Sequence, residues 1–233
     1  MIRNIENDVK FLMSGDNTGH GFEHIKRVFD LAVDIAKTEN ADIEIVGLAA
    51  LLHDVDDYKL FGQESADNLI NARNIMDKYN INDVVKNKVC EIIASMGYSN
   101  AMKGIRPQML EGKIVSDADM LDAIGACGTI RCLTYALARC ETVVFDERVF
   151  PDINMSAEEY KKSNRKSDNF INHFFEKLLK LKNMMFTQSG RQEAEKRHKI
   201  MVDFLFAFFR EQKLDNWLNY LQEFEKQNSV KEL

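Results

Sequence analysis

The stretch Ile45-Val46-Gly47-Leu48-Ala49-Ala50-Leu51-Leu52-His53-Asp54 decides how this chain is interpreted. An apolar helical run ends on an imidazole and a carboxylate, and Asp56, Asp57 and Lys59 follow directly. Burying such polar groups without partners costs roughly 2–7 kcal/mol each, and more for an ion. A divalent metal removes that cost, because neutral imidazole and carboxylate are both good ligands. The stretch therefore favours a buried helix that ends at a metal-ligating pair.

The composition indicates a globular, mostly helical protein. The chain has 233 residues, of which 45% are hydrophobic and 29% are charged, enough for one large domain or two small ones. Only two prolines and eleven glycines interrupt it, which leaves long stretches free of helix breakers.

The charge and the cysteines limit the function classes. A net charge of -6 does not suggest binding of a nucleic-acid polymer, which normally leaves a basic signature, but a few local cations can still hold a small phosphorylated substrate. Four cysteines without a CxxC pair are typical of reduced, cytoplasmic thiols. The amphipathic segment 1–13 is not expected to be a signal peptide, and no apolar run approaches the roughly 18 residues of a membrane span.

Helical periodicity recurs along most of the chain. We expect Asp42 to cap the helix that runs to His53. Further along the chain the sequence predicts a loop over 97–110, an irregular segment over 141–155 and a junction at Asn80. The remaining predicted helices cover 64–79, 82–96, 116–140, 156–184, 188–212 and 214–228. An earlier helix carries one apolar face, formed by Phe22, Ile25, Val28, Phe29, Ala32, Val33 and Ala36. The expected architecture is one all-α domain over 1–233, with a core at about 18–140 and a C-terminal helical extension at about 156–228.

Further candidate ligands lie where other apolar runs meet helix starts. His24 begins the first strong helix, and Asp117 and Asp119 follow Ile114-Val115-Ser116. Adjacent residues of a helix point about 100° apart, so His53 and Asp54 share an ion most easily at a helix end. Asp119 and Asp122, three residues apart, can share a face.

Each of these residues also has a simpler explanation. His24 alone is more often a satisfied core histidine. The segment from Ser116 to Asp119 could be a helix cap with acids favoured by the dipole, and Asp56 and Asp57 could form a solvated turn. Taken singly, these structural explanations are favoured; taken together, the residues favour a metal site.

The ordered set resembles a known family. His24, then His53-Asp54, then Asp119 is similar to the H…HD…D signature of the HD-domain metal-dependent phosphohydrolases, a family of helical bundles. The flanking text that carries the resemblance is His-Ile-Lys-Arg-Val at 24–28, Leu-Leu-His-Asp-Val-Asp-Asp at 51–57, Asp-Ala-Asp-Met-Leu-Asp-Ala-Ile-Gly at 117–125, and, for a small bacterial subgroup, the segment 172–178 with Arg197-His198.

The resemblance implies one divalent metal ion held by His24, His53, Asp54 and Asp119, with Asp117 as the competing or supporting aspartate. Mn, Mg, Fe, Co, Ni and Zn are not distinguished by this pattern. Two-metal relatives take extra histidines from a region that in this chain lacks them, between His53 and His173. A second, substrate-borne Mg stays open.

The resemblance also implies roles for nearby residues. Asp57 occupies the position of an acidic proton-transfer group, with Asp56 as the second choice. His20, which stands in His20-Gly21 where relatives often show His-Asp, is a substrate-binding candidate. Independently of the resemblance, Arg27 and Lys59 are candidates because they are the cations nearest in sequence to the proposed ligands, although a solvated surface role is more common for any one Lys or Arg.

The motif predicts a metal-dependent phosphohydrolase that cleaves a phosphate ester or anhydride. The resemblance alone implies that the substrate is a nucleotide, such as a nucleoside triphosphate. One alternative is a metal-containing regulatory module of the same fold that binds a ligand without turnover. Another is a metal-free helical protein that dimerises through the aromatic run 204–209. A homodimer stays open.

Overall fold

The structure, a computed structural model, describes residues 1–15, 21–138, 143–161 and 169–229. These residues divide into two compact units, Met1–Asp122 and Ala123–Leu233. The described residues form helices and contain no strand, apart from an isolated bridge between Val143 and Asn169. The all-α prediction is confirmed, while the single-domain organisation stays a prediction. Within the described part of the chain, no helix combines the length and the apolar character needed to cross a membrane.

The first unit is organised around a helix that is apolar on every side. Residues Ile45–Leu52 of this helix, α3, are all buried, as expected for a helix without a polar face. It packs against α1, α2, α6 and α8. The helices of this unit are α1 (Ile2–Leu12), α2 (Phe22–Glu39), α3 (Ile43–Leu52), α4 (Tyr58–Asn68), α5 (Ile70–Lys78), α6 (Asp83–Ser95), α7 (Tyr98–Met102) and α8 (Leu110–Asp122).

Local sequence signals determine where α2 ends, where α3 begins and how closely the two helices approach. Asn40 adopts a left-handed conformation that ends α2, and the Asp42 carboxylate then accepts hydrogen bonds from the amides of Glu44 and Ile45 at 3.0 and 3.2 Å. This confirms the predicted cap. At Gly47 a Cβ atom would lie 3.1 Å from Cε2 of Phe29, so the glycine permits the close approach of the two helices.

The helix predicted over 64–79 is wrong in its extent. The helical path is interrupted at Leu69, which has a φ of 51°, and α5 begins at the next residue. The physical reason is long-range capping, because the Asp56 carboxylate accepts from the amides of Asn71 and Ala72 and so supplies a new helix start. The predicted loop over 97–110 contains the short helix α7.

The helix predicted over 116–140 is also wrong. Helix α8 begins at Leu110 and ends at Asp122, and the next helix begins at Gly125, whose φ of 79° suits glycine and interrupts the helical path. Ser116 consequently lies inside α8 and is buried. The explanation of Ser116 as a helix cap is therefore excluded.

The second unit is held together by aromatic packing. Trp217 and Phe209 are almost fully buried, and Phe145 contacts the rings of both. The run 204–209 thus mostly serves the core, although Phe206 is exposed. The helices are α9 (Gly125–Ala138), α10 (Ala157–Lys161), α11 (Phe170–Glu176), a 3₁₀ helix (Leu178–Met184), α12 (Gln188–Glu211) and α13 (Asp215–Ser229).

In this unit the predicted helix over 156–184 is wrong, since α10, α11 and the 3₁₀ helix divide it. The helices predicted over 188–212 and 214–228 are confirmed.

Replacing Asp42 by alanine tests the cap that starts α3. We expect the free energy of unfolding to fall by about 1 kcal/mol, because the amides of Glu44 and Ile45 lose their acceptor. Urea denaturation of wild type, Asp42→Ala and Asp42→Asn measures the effect, and the asparagine variant, which keeps the acceptor, should retain most of the stability. Equal stability of the alanine variant and wild type would contradict the cap.

Candidate metal centre

His24 enters the site from the first turn of α2. Its side chain is 1% exposed, and Nδ1 lies 2.7 Å from Oδ2 of Asp122. A carboxylate accepts hydrogen bonds, so Nδ1 is assigned the ring proton. The opposite nitrogen, Nε2, then carries a lone pair.

His53 lies at the C-terminal end of α3, where it is the capping residue and keeps a right-handed helical backbone conformation. Its Nδ1 lies 2.9 Å from the carbonyl oxygen of Ala50, one turn earlier. A carbonyl only accepts, so Nδ1 again carries the proton and Nε2 the lone pair. The expected position of His53 at a helix end is confirmed.

Donor atoms from three parts of the first unit converge. Nε2 of His24 and Nε2 of His53 are 3.2 Å apart. Oδ2 of Asp54 lies 3.4 Å from Nε2 of His24 and 3.5 Å from Nε2 of His53. Oδ1 of Asp119 lies 3.5 Å from Nε2 of His24 and 3.8 Å from Nε2 of His53. The four predicted ligands therefore meet, although they are up to 95 positions apart along the chain.

This donor set fits a divalent cation. With metal–ligand bonds of about 2.1 Å, neighbouring ligand atoms in an octahedron or tetrahedron lie about 3.0–3.4 Å apart, close to the separations found here. Two imidazole lone pairs beside two carboxylates form a cluster of acceptors, which a cation stabilises. His24, His53 and Asp119 each offer one ligand atom, and these atoms lie within 4.8 Å of one another.

The structure brings Asp119 to this cluster. Asp117 is two positions earlier in α8 and is fully buried. Two residues along a helix are separated by about 200° around its axis, so the two carboxylates leave the helix on different sides. This geometry favours Asp119 as the ligand.

Sequence reasoning missed the role of Asp122. Asp122 is buried, and its carboxylate accepts from Nε of Arg27 at 2.7 Å and from Nη2 of Arg27 at 3.0 Å, in addition to its contact with His24. The spacing from Asp119 indicated a shared helix face. Nothing local in the sequence indicated which residues Asp122 would contact.

The two acids that follow Asp54 have different environments. Asp56 is buried, and its oxygens accept from the Ser65 hydroxyl at 2.5 Å and from the amides of Asn71 and Ala72, each at 2.9 Å. These bonds tie the turn after His53-Asp54 to the start of α5. They make Asp56 a structural acid, unlike the solvated turn considered from the sequence.

Asp57 is half-buried and caps α4, where Oδ1 accepts from the amide of Lys59 at 2.8 Å. The cap uses one carboxylate oxygen, which leaves the proposed chemical role of Asp57 untested. Lys59 is exposed, with its Nζ 5.9 Å from the ring centroid of Tyr58. Arg27 reaches Asp122 as described above. His20 lies outside the described residues.

Comparison with known proteins agrees with this geometry. A family model described as the HD domain matches residues 21–124, a range that contains the four converging residues. YpgQ of Bacillus subtilis, an uncharacterized protein, is 34% identical over 201 residues, which cover 84% of this chain and 86% of YpgQ. The chain belongs to the HD-domain phosphohydrolase superfamily.

Solved structures extend the similarity across most of the chain. A protein from Lactobacillus plantarum matches with a TM-score of 0.79 and 32% identity, over 91% of this chain and 96% of its own. An HD-superfamily hydrolase from Bacillus thuringiensis matches with a TM-score of 0.69 and 31% identity, over 91% and 96%. YpgQ in complex with ADP matches with a TM-score of 0.65 and 31% identity, over 91% and 97%. The family resemblance drawn from the sequence is confirmed.

Replacing Asp56 by alanine should destabilise the protein by about 3 kcal/mol, because three donors, two of them in buried hydrogen bonds, lose a charged acceptor. Asp56→Asn, which keeps one acceptor oxygen, should fall between wild type and the alanine variant. Urea denaturation provides the measurement.

The matched control for this test is Asp67→Ala. Asp67 is an exposed acid whose carboxylate accepts from the side-chain amide of Gln63 at the surface, and its loss should change the free energy of unfolding by less than about 0.5 kcal/mol. If Asp56→Ala were no more destabilising than this control, the structural role of Asp56 would be refuted.

Proposed function

We propose that this protein is a metal-dependent phosphohydrolase that acts on a nucleotide, releasing phosphate or pyrophosphate from a substrate such as a nucleoside triphosphate. The observation that carries the proposal is the convergence of His24, His53, Asp54 and Asp119. Membership of a family that contains HD-superfamily hydrolases supports the reaction class. The complex of YpgQ with ADP supports a nucleotide as the substrate.

The four converging residues would hold one divalent ion. When bound, such an ion supplies Lewis-acid activation of a phosphate group and of water at neutral pH. The residues contribute rigidity, since both imidazoles are fixed through Nδ1 by Asp122 and by the Ala50 carbonyl. The Asp54 and Asp119 side chains are 19% and 27% exposed, so the carboxylate side of the cluster is the side that solvent reaches.

Asp57 is the proposed proton-transfer residue. It follows Asp54 by three positions, and the bond between Oδ1 and the Lys59 amide fixes its side chain. General acid–base catalysis of this kind contributes about 10²–10⁴-fold to a rate. Asp56 is a weaker candidate, because its carboxylate already accepts hydrogen bonds from three donors.

Positive charge close to the cluster would hold the substrate phosphates. Arg27 lies on the same helix as His24, and Lys59 lies in the first turn of α4. These two cations, with His20, are the proposed substrate contacts. A few local cations can hold an anion even though the net charge of the chain is -6.

We further propose a cytoplasmic location. Among the described residues, Cys90 and Cys127 are free thiols, and burial raises the pKa of the Cys90 thiol above its usual range. Reduced thiols of this kind are typical of a reducing compartment.

Replacing Asp54 by alanine should abolish hydrolysis. Metal-free protein is assayed on a nucleotide panel with Mn, Mg, Co, Ni or Zn restored singly, and phosphate and pyrophosphate are quantified separately. Loss of a ligand removes several kcal/mol of charge stabilisation, so the rate should fall by about 10³-fold or more. Circular dichroism should show an unchanged helical fold.

An unchanged rate in the Asp54 variant would refute the proposal. Stoichiometric metal binding by wild type without turnover of any nucleotide would instead favour the regulatory module. The product formed by wild type identifies the bond that is cleaved.

Asp57→Asn separates chemistry from capping, because asparagine is an equally good helix cap but cannot transfer a proton. The rate should fall by about 10²–10⁴-fold, while the dissociation constant for metal and the unfolding midpoint stay at the wild-type values. A wild-type rate in this variant would reduce Asp57 to a cap of α4.

A further inference from the structure

A chain of three side chains connects the surface of the first unit to the metal centre. The Arg27 side chain is 41% exposed and Asp122 is 3% exposed, and Nε of Arg27 lies 2.7 Å from Oδ1 of Asp122. The other oxygen of Asp122 lies 2.7 Å from Nδ1 of His24, which is 1% exposed. Three positions on α2 separate Arg27 from His24, whereas Asp122 ends α8.

The inner bond determines which nitrogen His24 presents to the cluster. Asp122 accepts at Nδ1, which directs the lone pair of Nε2 towards Nε2 of His53, 3.2 Å away. A rotated ring or the other tautomer would place an N–H group among acceptors. Carboxylates that hold a ligating histidine in this way typically contribute about 10–100-fold to metal affinity.

The outer bonds fix the carboxylate itself. Arg27 donates through Nε to Oδ1 and through Nη2 to Oδ2, a two-point arrangement that sets the plane of the carboxylate. A buried carboxylate without a cationic partner is strongly disfavoured. Removing the guanidinium therefore loosens the group that orients His24, even though Arg27 is not itself a ligand.

We propose that Arg27 and Asp122 are positioning residues that hold His24 as an Nε2 ligand, so that Arg27 controls metal affinity through Asp122. The inference rests on the proposed function for its metal. It assigns Arg27 an effect that contact with a substrate phosphate alone would not produce, namely a change in metal affinity in the absence of nucleotide.

The first experiment measures the dissociation constant for Mn²⁺ by isothermal titration calorimetry, without nucleotide. Asp122→Ala should weaken binding by about 10–100-fold, and Asp122→Asn should recover part of the affinity, since its amide oxygen can still accept from Nδ1 whereas its NH2 group cannot accept from Arg27. Arg27→Met should weaken binding by less than Asp122→Ala, and Arg27→Lys should recover part of the loss. Thermal unfolding of each variant confirms that the protein is folded.

The matched control is Lys26→Met. Lys26 is the neighbouring cation on α2, and it pairs with Asp30 and Glu6 at the surface. Its loss should leave the Mn²⁺ affinity unchanged. Wild-type affinity in either Asp122→Ala or Arg27→Met would overturn the proposal, as would an equal loss in Lys26→Met and Arg27→Met.

The second experiment reads the imidazole directly and does not depend on the metal. Nitrogen-15 NMR of histidine-labelled, metal-free protein at pH 8, with His24 assigned through His24→Gln, should show a proton at Nδ1. The signal should change tautomer or broaden in Asp122→Ala and persist in Asp122→Asn. A wild-type ring protonated at Nε2 alone would refute the positioning role.

The two experiments distinguish a failure of this inference from a failure of the proposed function. Absence of Mn²⁺ binding by wild type would contradict the metal function and the affinity effect together. The tautomer of His24 would then still decide whether Asp122 orients it.

Discussion

The convergence of imidazole and carboxylate acceptors at the end of a fully buried helix is the constraint on which the first unit depends. Helix α3 is buried from Ile45 to Leu52, and hydrophobic burial therefore fixes its place. It ends on His53 and Asp54, which cannot be left as unpartnered polar groups in that position. The neighbouring helices α2 and α8 contribute His24 and Asp119 to the same point. A bound cation would convert this electrostatic cost into a favourable interaction.

The other polar groups around the cluster keep these donors in place. Asp122 and the Ala50 carbonyl each engage one Nδ1 atom, so both histidines present Nε2. Asp56 ties the turn that follows Asp54 to the start of α5. The acids of this region thus divide into proposed ligands, an acid that orients a ligand, and acids that cap helices. Their formal charge is the same, and their hydrogen-bond partners alone distinguish them.

The sequence predicts those parts of the fold and site that depend on local pattern. The apolar run before His53, the cap at Asp42 and the two last long helices follow from periodicity and capping, and the structure confirms them. The breaks at Leu69 and Gly125 were not predicted. The first depends on a bond from Asp56 across 16 positions, and Gly125 is compatible with a continuous pattern. The role of Asp122 depends on a contact across 98 positions, which no local pattern encodes.

The central claim is that one cation lies at the point where these four side chains meet. A crystal structure of the protein grown with Mn²⁺ tests it most directly, through the anomalous scattering of manganese. The account predicts one peak within about 2.0–2.4 Å of Nε2 of His24, Nε2 of His53 and a carboxylate oxygen of both Asp54 and Asp119. A peak bound elsewhere, or no peak at this point in crystals that contain manganese, would contradict it.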